Sequence, residues 1–176
     1  MVSALADAPD DLRRPAGTAW LAAVILCGSG ALLLAALGFQ YLGGYAPCSL
    51  CYWQRYGHIA VMAVVWLALL PLGSGARIAL LSLAGIGLLA TAGLAAWHVG
   101  VEWKWWAGPE SCTSTSLMGM SVEQALNALR RKPVVLCDTV AWSLFGVSMA
   151  GWNALFSAAL GVWALAGTWR LAARGA

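Results

Sequence analysis

From Thr18 to Phe39 the chain runs through one apolar segment without a single charged side chain. A helix needs roughly 20 mostly apolar residues to cross the hydrocarbon core of a bilayer, and this segment meets that length. Three further segments qualify, at about 52–70, 78–97 and 145–168. The second differs from the rest in carrying Arg55 and His58 in its outer part. Backbone polar groups in lipid must be paired within their own segment, so each of the four reads as a helix. Composition agrees: 61% of residues are hydrophobic and 10% are charged, against roughly 25% charged in soluble domains. The expected fold is an all-α membrane protein, a four-transmembrane-helix bundle.

The remaining sequence divides accordingly. Residues 1–17 form an N-terminal segment and 169–176 a C-terminal tail. The first apolar run exceeds the roughly 7–15 residues of a cleaved signal's core, so it reads as a retained span. Pro71 to Arg77 is a tight turn between the second and third spans. Residues 40–51 make a short loop, and residues 98–144 a long one that holds most of the other polar groups. Within the long loop, Val122, Ala125, Leu126 and Leu129 recur at helical spacing behind Ser121, a good cap. That pattern predicts a short helix lying on the membrane surface. Trp20, Trp97, Trp103, Trp105, Trp106, Trp142 and Trp169 fall where apolar runs end, as expected of an aromatic belt.

Four spans place both termini on one side, together with Arg13, Arg14, Arg77, Arg170 and Arg174. Lys104, Arg130, Arg131 and Lys132 lie on the other, with Arg55 at the boundary. The excess on the terminal side is small and favours cytoplasmic termini. No basic tract interleaved with aromatics is present, which argues against a nucleic-acid ligand.

Five cysteines carry the chemistry. Cys27 lies inside the first span and reads as a small inert apolar residue. Cys48, Cys51, Cys112 and Cys137 all fall on one face of the membrane in this topology. Four cysteines on one face point to an oxidising compartment, the periplasm in a bacterium. Cys112 and Cys137 could staple the long loop, worth roughly 3–4 kcal/mol by chain entropy. Cys48 and Cys51 close too short a loop for that role. Their Cys-x-x-Cys spacing is that of a redox-active or metal-binding pair.

The surroundings of Cys51 favour a thiolate. It stands at a helix start, where free N–H groups and the helix dipole favour negative charge. Arg55 is four residues on, on the same helical face, and a guanidinium lowers a nearby thiol's pKa. Arg55 could equally snorkel to the headgroups. His98 ends the third span at the cysteine face, placed either to hydrogen-bond a ligand carbonyl or to sit at the interface.

These features together resemble the DsbB family of disulfide bond formation proteins. The likeness covers about Thr18 to Thr168. It rests on four spans, Cys48-x-x-Cys51 opening the second, Arg55 four residues beyond, and Cys112 and Cys137 in the second outer loop. Trp97-His98 and the stretch from Trp142 to Asn153 match as well. The resemblance implies a protein-disulfide:quinone oxidoreductase of the bacterial inner membrane. A reduced DsbA-like thioredoxin-fold partner would attack a Cys112–Cys137 disulfide, with Cys112 forming the mixed disulfide. Cys137 would pass the electrons to Cys48–Cys51, and Cys51 would face a membrane quinone, ubiquinone or menaquinone, with Arg55 and His98 beside it. No metal is implied. Position 54 departs from the family: it is Gln54 where the best-known members carry an acid, so Gln54 is left outside the expected site, and His58 is assigned no role.

Three other readings stand beside this one. A vitamin K epoxide reductase-like protein also uses four cysteines and a quinone, but its Cys-x-x-Cys belongs late in the chain. A four-span scaffold would keep its cysteines as structural disulfides. Cys48, Cys51 and His98 could instead bind zinc or copper(I), although a fourth ligand is not obvious.

Overall fold

A computed structural model describes residues 10–109, 112, 120–131 and 135–174. Most of the expected N-terminal segment 1–17, Lys132 and the last two residues of the tail lie outside the described residues. The described elements are α1 (Asp10–Tyr41), α2 (Ser49–Ala68), α3 (Ser74–Glu102), α4 (Val122–Arg131), β1 (Ser143–Leu144), β2 (Val147–Ser148) and α5 (Met149–Ala173).

Four long helices, α1, α2, α3 and α5, make the bundle. Three of them contain a stretch long and apolar enough to cross a membrane: Gly17–Tyr41, Ser74–Glu102 and Met149–Ala173. The second expected span is a helix, α2, but it is not among these three. Gln54, Arg55 and His58 stand in its first half and lower its mean hydropathy. Two of those polar groups, Gln54 and His58, are buried within the protein, where polar side chains of a membrane helix are tolerated.

α3 is the central helix. It packs most extensively against α5 and then against α2, while α1 leans on α2 and α5. The core in one half of the bundle joins Leu21 and Ile25 of α1, Val61 and Val65 of α2, Leu81 and Leu88 of α3, and Ala164 of α5. Small residues let these helices approach, since lipid offers no hydrophobic drive toward association. Gly57 marks the tightest approach between two of these helices: a Cβ there would run into Thr91 Oγ1 on α3. The α2 C-terminus is closed by Arg77, whose Nε donates to the Ala68 carbonyl at 3.1 Å, as a cation at a helix C-terminus should.

Several boundaries differ from the sequence reading. α1 and α3 run beyond their apolar runs, to Tyr41 and Glu102. The last helix starts at Met149 rather than near 145, because a small hairpin comes first. Ser143 pairs with Ser148 and Leu144 with Val147, antiparallel. Phe145 and Gly146 make its two-residue turn, both with positive φ (52° and 76°), the backbone such hairpins require. Ser148 then caps α5, its hydroxyl accepting from Gly151 N–H at 3.2 Å. A helix also occupies Val122–Arg131, preceded by Ser121, whose hydroxyl accepts from Gln124 N–H.

Candidate active site

The site lies at one end of the bundle and starts from the first turn of α2. Cys48 is the N-cap of that helix, and its Sγ accepts from Cys51 N–H at 3.2 Å. The cap sets the two side chains face to face, with sulfurs 2.7 Å apart as a dithiol. That approach lets the pair close into a disulfide with little backbone movement. Two thiolates on one tetrahedral zinc would stand about 3.8 Å apart. Cys48, Cys51 and His98 do converge within 4.8 Å, but the sulfur spacing suits a redox pair rather than a metal.

The two thiols share one proton unequally. The hydrogen bond from Cys48 is the main cause that lowers Cys51 to about 7, against the opposing effect of burial, and the Arg55 charge helps. Cys48 is pushed up chiefly by the same bond, which it makes as the partner that keeps the proton. The pair is thus poised to carry one negative charge near neutral pH.

Cys112 and Cys137 form a disulfide with Cα atoms 5.0 Å apart. Both are buried, and they pack in one cluster with Cys48, Leu50 and Val101, with Cys51 at its margin. All four cysteines of the expected relay therefore meet, which their sequence positions alone did not establish. Cys27 points to the outer surface of α1.

A cavity of about 390 Å³ opens beside the dithiol. Leu33, Ala36 and Phe39 of α1, Met149 and Phe156 of α5, and Trp142 give it apolar walls. Trp142 packs on Phe39 with ring centroids 4.7 Å apart, and the two rings form part of the wall. Cys48, Cys51, Arg55 and His98 also line it. Arg55 reaches across to α1, donating to Gln40 Oε1 and to the Ala36 carbonyl, with its guanidinium carbon 5.5 Å from the centre of the Tyr52 ring. A guanidinium has five N–H donors, so donors remain for a ligand.

His98 is buried, with Nε2 3.6 Å from Cys48 Sγ and Nδ1 2.9 Å from Gln54 Nε2. Gln54, set aside on sequence grounds, is thus part of the site wall, and so is His58. Gln54 and His58 stand one turn apart, at i and i+4 on a single buried face of a largely apolar helix. That spacing was the available signal. Glu102, at the end of α3, lines the cavity too and accepts from the Ser148 hydroxyl.

Apolar helices of membrane-spanning length, a dithiol, and a disulfide in the same buried cluster define a membrane oxidoreductase of the thiol–disulfide class. The family model described as "Disulfide bond formation protein DsbB" matches residues 18–167. The chain belongs to the DsbB family. Three relatives described as Disulfide bond formation protein B illustrate the similarity. That of Verminephrobacter eiseniae (strain EF01-2) is 34% identical over 151 residues, 82% of each chain. That of Azoarcus sp. (strain BH72) is 31% identical, covering 88% of this chain and 93% of the relative. That of Methylococcus capsulatus (strain ATCC 33009 / NCIMB 11132 / Bath) is 32% identical, covering 88% and 94%. No solved structure matches the chain.

Proposed function

We propose that this protein is a thiol oxidase that re-oxidises a periplasmic DsbA-like dithiol protein and delivers two electrons to a membrane quinone. The observation that carries the reading is the shared cluster: a buried disulfide packed against a dithiol that borders an apolar cavity. On this reading α2 is the fourth span, its polar first half shielded inside the bundle. Both termini are cytoplasmic, the cysteine end faces the periplasm of the inner membrane, and α4 rests on the membrane surface.

The electron path follows from thiol–disulfide exchange, in which a thiolate attacks a disulfide sulfur and another thiolate leaves. The partner's thiolate attacks Cys112 and releases Cys137; the partner's second thiolate then resolves the mixed disulfide and leaves oxidised. Cys137 attacks the Cys48–Cys51 disulfide, and closing of Cys112–Cys137 leaves Cys48 and Cys51 reduced. Re-forming the Cys48–Cys51 bond yields two electrons and two protons, which convert quinone to quinol. Quinone, as ubiquinone or menaquinone, is the second substrate. The cavity suits it: apolar walls for a flat ring, with Arg55 to donate to a carbonyl oxygen and His98 in the wall beside the dithiol.

The test uses purified protein, a reduced thioredoxin-fold dithiol and a short-chain quinone, followed without oxygen. The expected result is one quinol formed per client disulfide. Client oxidation without quinone reduction would overturn the reading.

A further inference from the structure

Behind His98 a row of buried and half-buried side chains runs through the bundle. His58 Nε2 lies 3.0 Å from Asn153 Oδ1, and Ser157 Oγ donates to the same oxygen at 3.1 Å. An amide oxygen only accepts, so His58 carries its proton on Nε2. Asn153 Nδ2 then donates to Gln54 Oε1 at 2.7 Å. Gln54 has its N–H left for His98 Nδ1, 2.9 Å away. His98 Nδ1 must therefore accept, and a neutral ring then has its proton on Nε2, facing Cys48 Sγ at 3.6 Å, with the Cys137 backbone as a second partner of the ring. Every donor in the row points toward the dithiol, and chains of hydrogen bonds with one direction reinforce one another.

We propose that Gln54 and Asn153 are positioning residues that hold the proton of neutral His98 on Nε2, where it donates to Cys48 Sγ and stabilises the anion of the Cys48–Cys51 pair. The functional consequence rests on the thiol-oxidase reading. When an incoming thiolate opens the Cys48–Cys51 disulfide, one S–S bond forms, another breaks, and the negative charge passes to the departing sulfur. A donor already aimed at the pair lowers the cost of that charge. Gln54 suits this role in a way an acid does not. A carboxylate at position 54 could only accept, and would draw the His98 proton to Nδ1. The other ionisable groups acting on Cys51 are Arg55 on its own helix and Glu102 on α3.

The experiment needs neither quinone nor client. The chain has two histidines, so the ring nitrogens of ¹⁵N-histidine-labelled reduced protein give four signals. Both rings are expected as neutral Nε2–H tautomers at pH 7; a proton on His98 Nδ1 would overturn the proposal. In Gln54→Glu the His98 proton is expected on Nδ1, and an unchanged pattern would count against it. In Gln54→Leu the pH midpoint for alkylation of the pair, resolved by mass spectrometry, is expected to rise by about one pH unit. That is about fivefold slower reaction at pH 7, with the rate at high pH unchanged. An unmoved midpoint would overturn the proposal. If Gln54→Leu does not fold, Asn153→Leu carries the same test with the same sign, from a residue whose hydrogen bonds run to Gln54, His58 and Ser157. If wild-type protein shows the tautomers but reduces no quinone, the thiol-oxidase reading fails while the positioning of His98 stands.

Discussion

The guanidinium of Arg55 donates to the backbone carbonyl of Ala36 at 3.0 Å, tying the cysteine-bearing helix α2 to α1 across the mouth of the cavity. The same side chain holds Gln40 and lies near Cys51. One cation thus shapes the apolar wall and favours the thiolate beside it.

Arg55→Ala should therefore separate quinone use from thiol exchange. Removing the charge and its hydrogen bonds is expected to raise the KM for quinone about tenfold, the equivalent of about 1.4 kcal/mol. Exchange between the client and Cys112–Cys137 should stay close to wild type. Steady-state kinetics with varied quinone checks this, and an unchanged KM would remove Arg55 from the site.

The lowered Cys51 thiol gives a pH signature. With ionisation near 7, the reduced protein should alkylate at Cys51 with a midpoint near that pH, and the rate should fall as pH drops below it. An ordinary thiol, ionising near about 8.5, would have its midpoint well above this. Because the Cys48 hydrogen bond is the largest cause and the Arg55 charge a smaller one, Cys48→Ala should raise the midpoint more than Arg55→Ala. Alkylation measured from pH 5 to pH 10 would read the order directly.

Gly57 sets how closely α2 approaches α3, and so how near the dithiol stands to His98. Gly57→Ala would drive a methyl group into Thr91 Oγ1 and is expected to cost about 1–3 kcal/mol. Thr91→Ala makes room, so the double variant should recover most of that loss. Thermal unfolding of the four proteins in detergent checks it; additive effects would mean that the two helices do not meet there.

Much of this was legible from sequence for a simple reason. Long charge-free runs have few alternatives to a membrane helix, and the Cys48–Cys51 spacing at a helix start dictates close sulfurs. Four things were not. The hairpin before α5 turns on Phe145-Gly146, which lacks the Asn-Gly or Asp-Gly signal of such turns. The Cys112–Cys137 disulfide meets Cys48 only through tertiary packing, which no local pattern encodes. Gln54 was set aside for differing from an acidic pattern. Its role depends on Asn153, a partner 99 residues away. His58, assigned no role from sequence, has its partner in Asn153, 95 residues away, and polar groups inside a membrane bundle are the ones that need a partner.

The central claim is that both cysteine pairs are links of one relay. The most direct measurement is quinone reduction by a reduced thioredoxin-fold dithiol in four single variants: Cys48→Ser, Cys51→Ser, Cys112→Ser and Cys137→Ser. Loss of turnover in all four is the expected result, with Cys48→Ser and Cys51→Ser still able to form a mixed disulfide with the client through the outer pair. Sustained quinone reduction in Cys112→Ser or Cys48→Ser would contradict the relay.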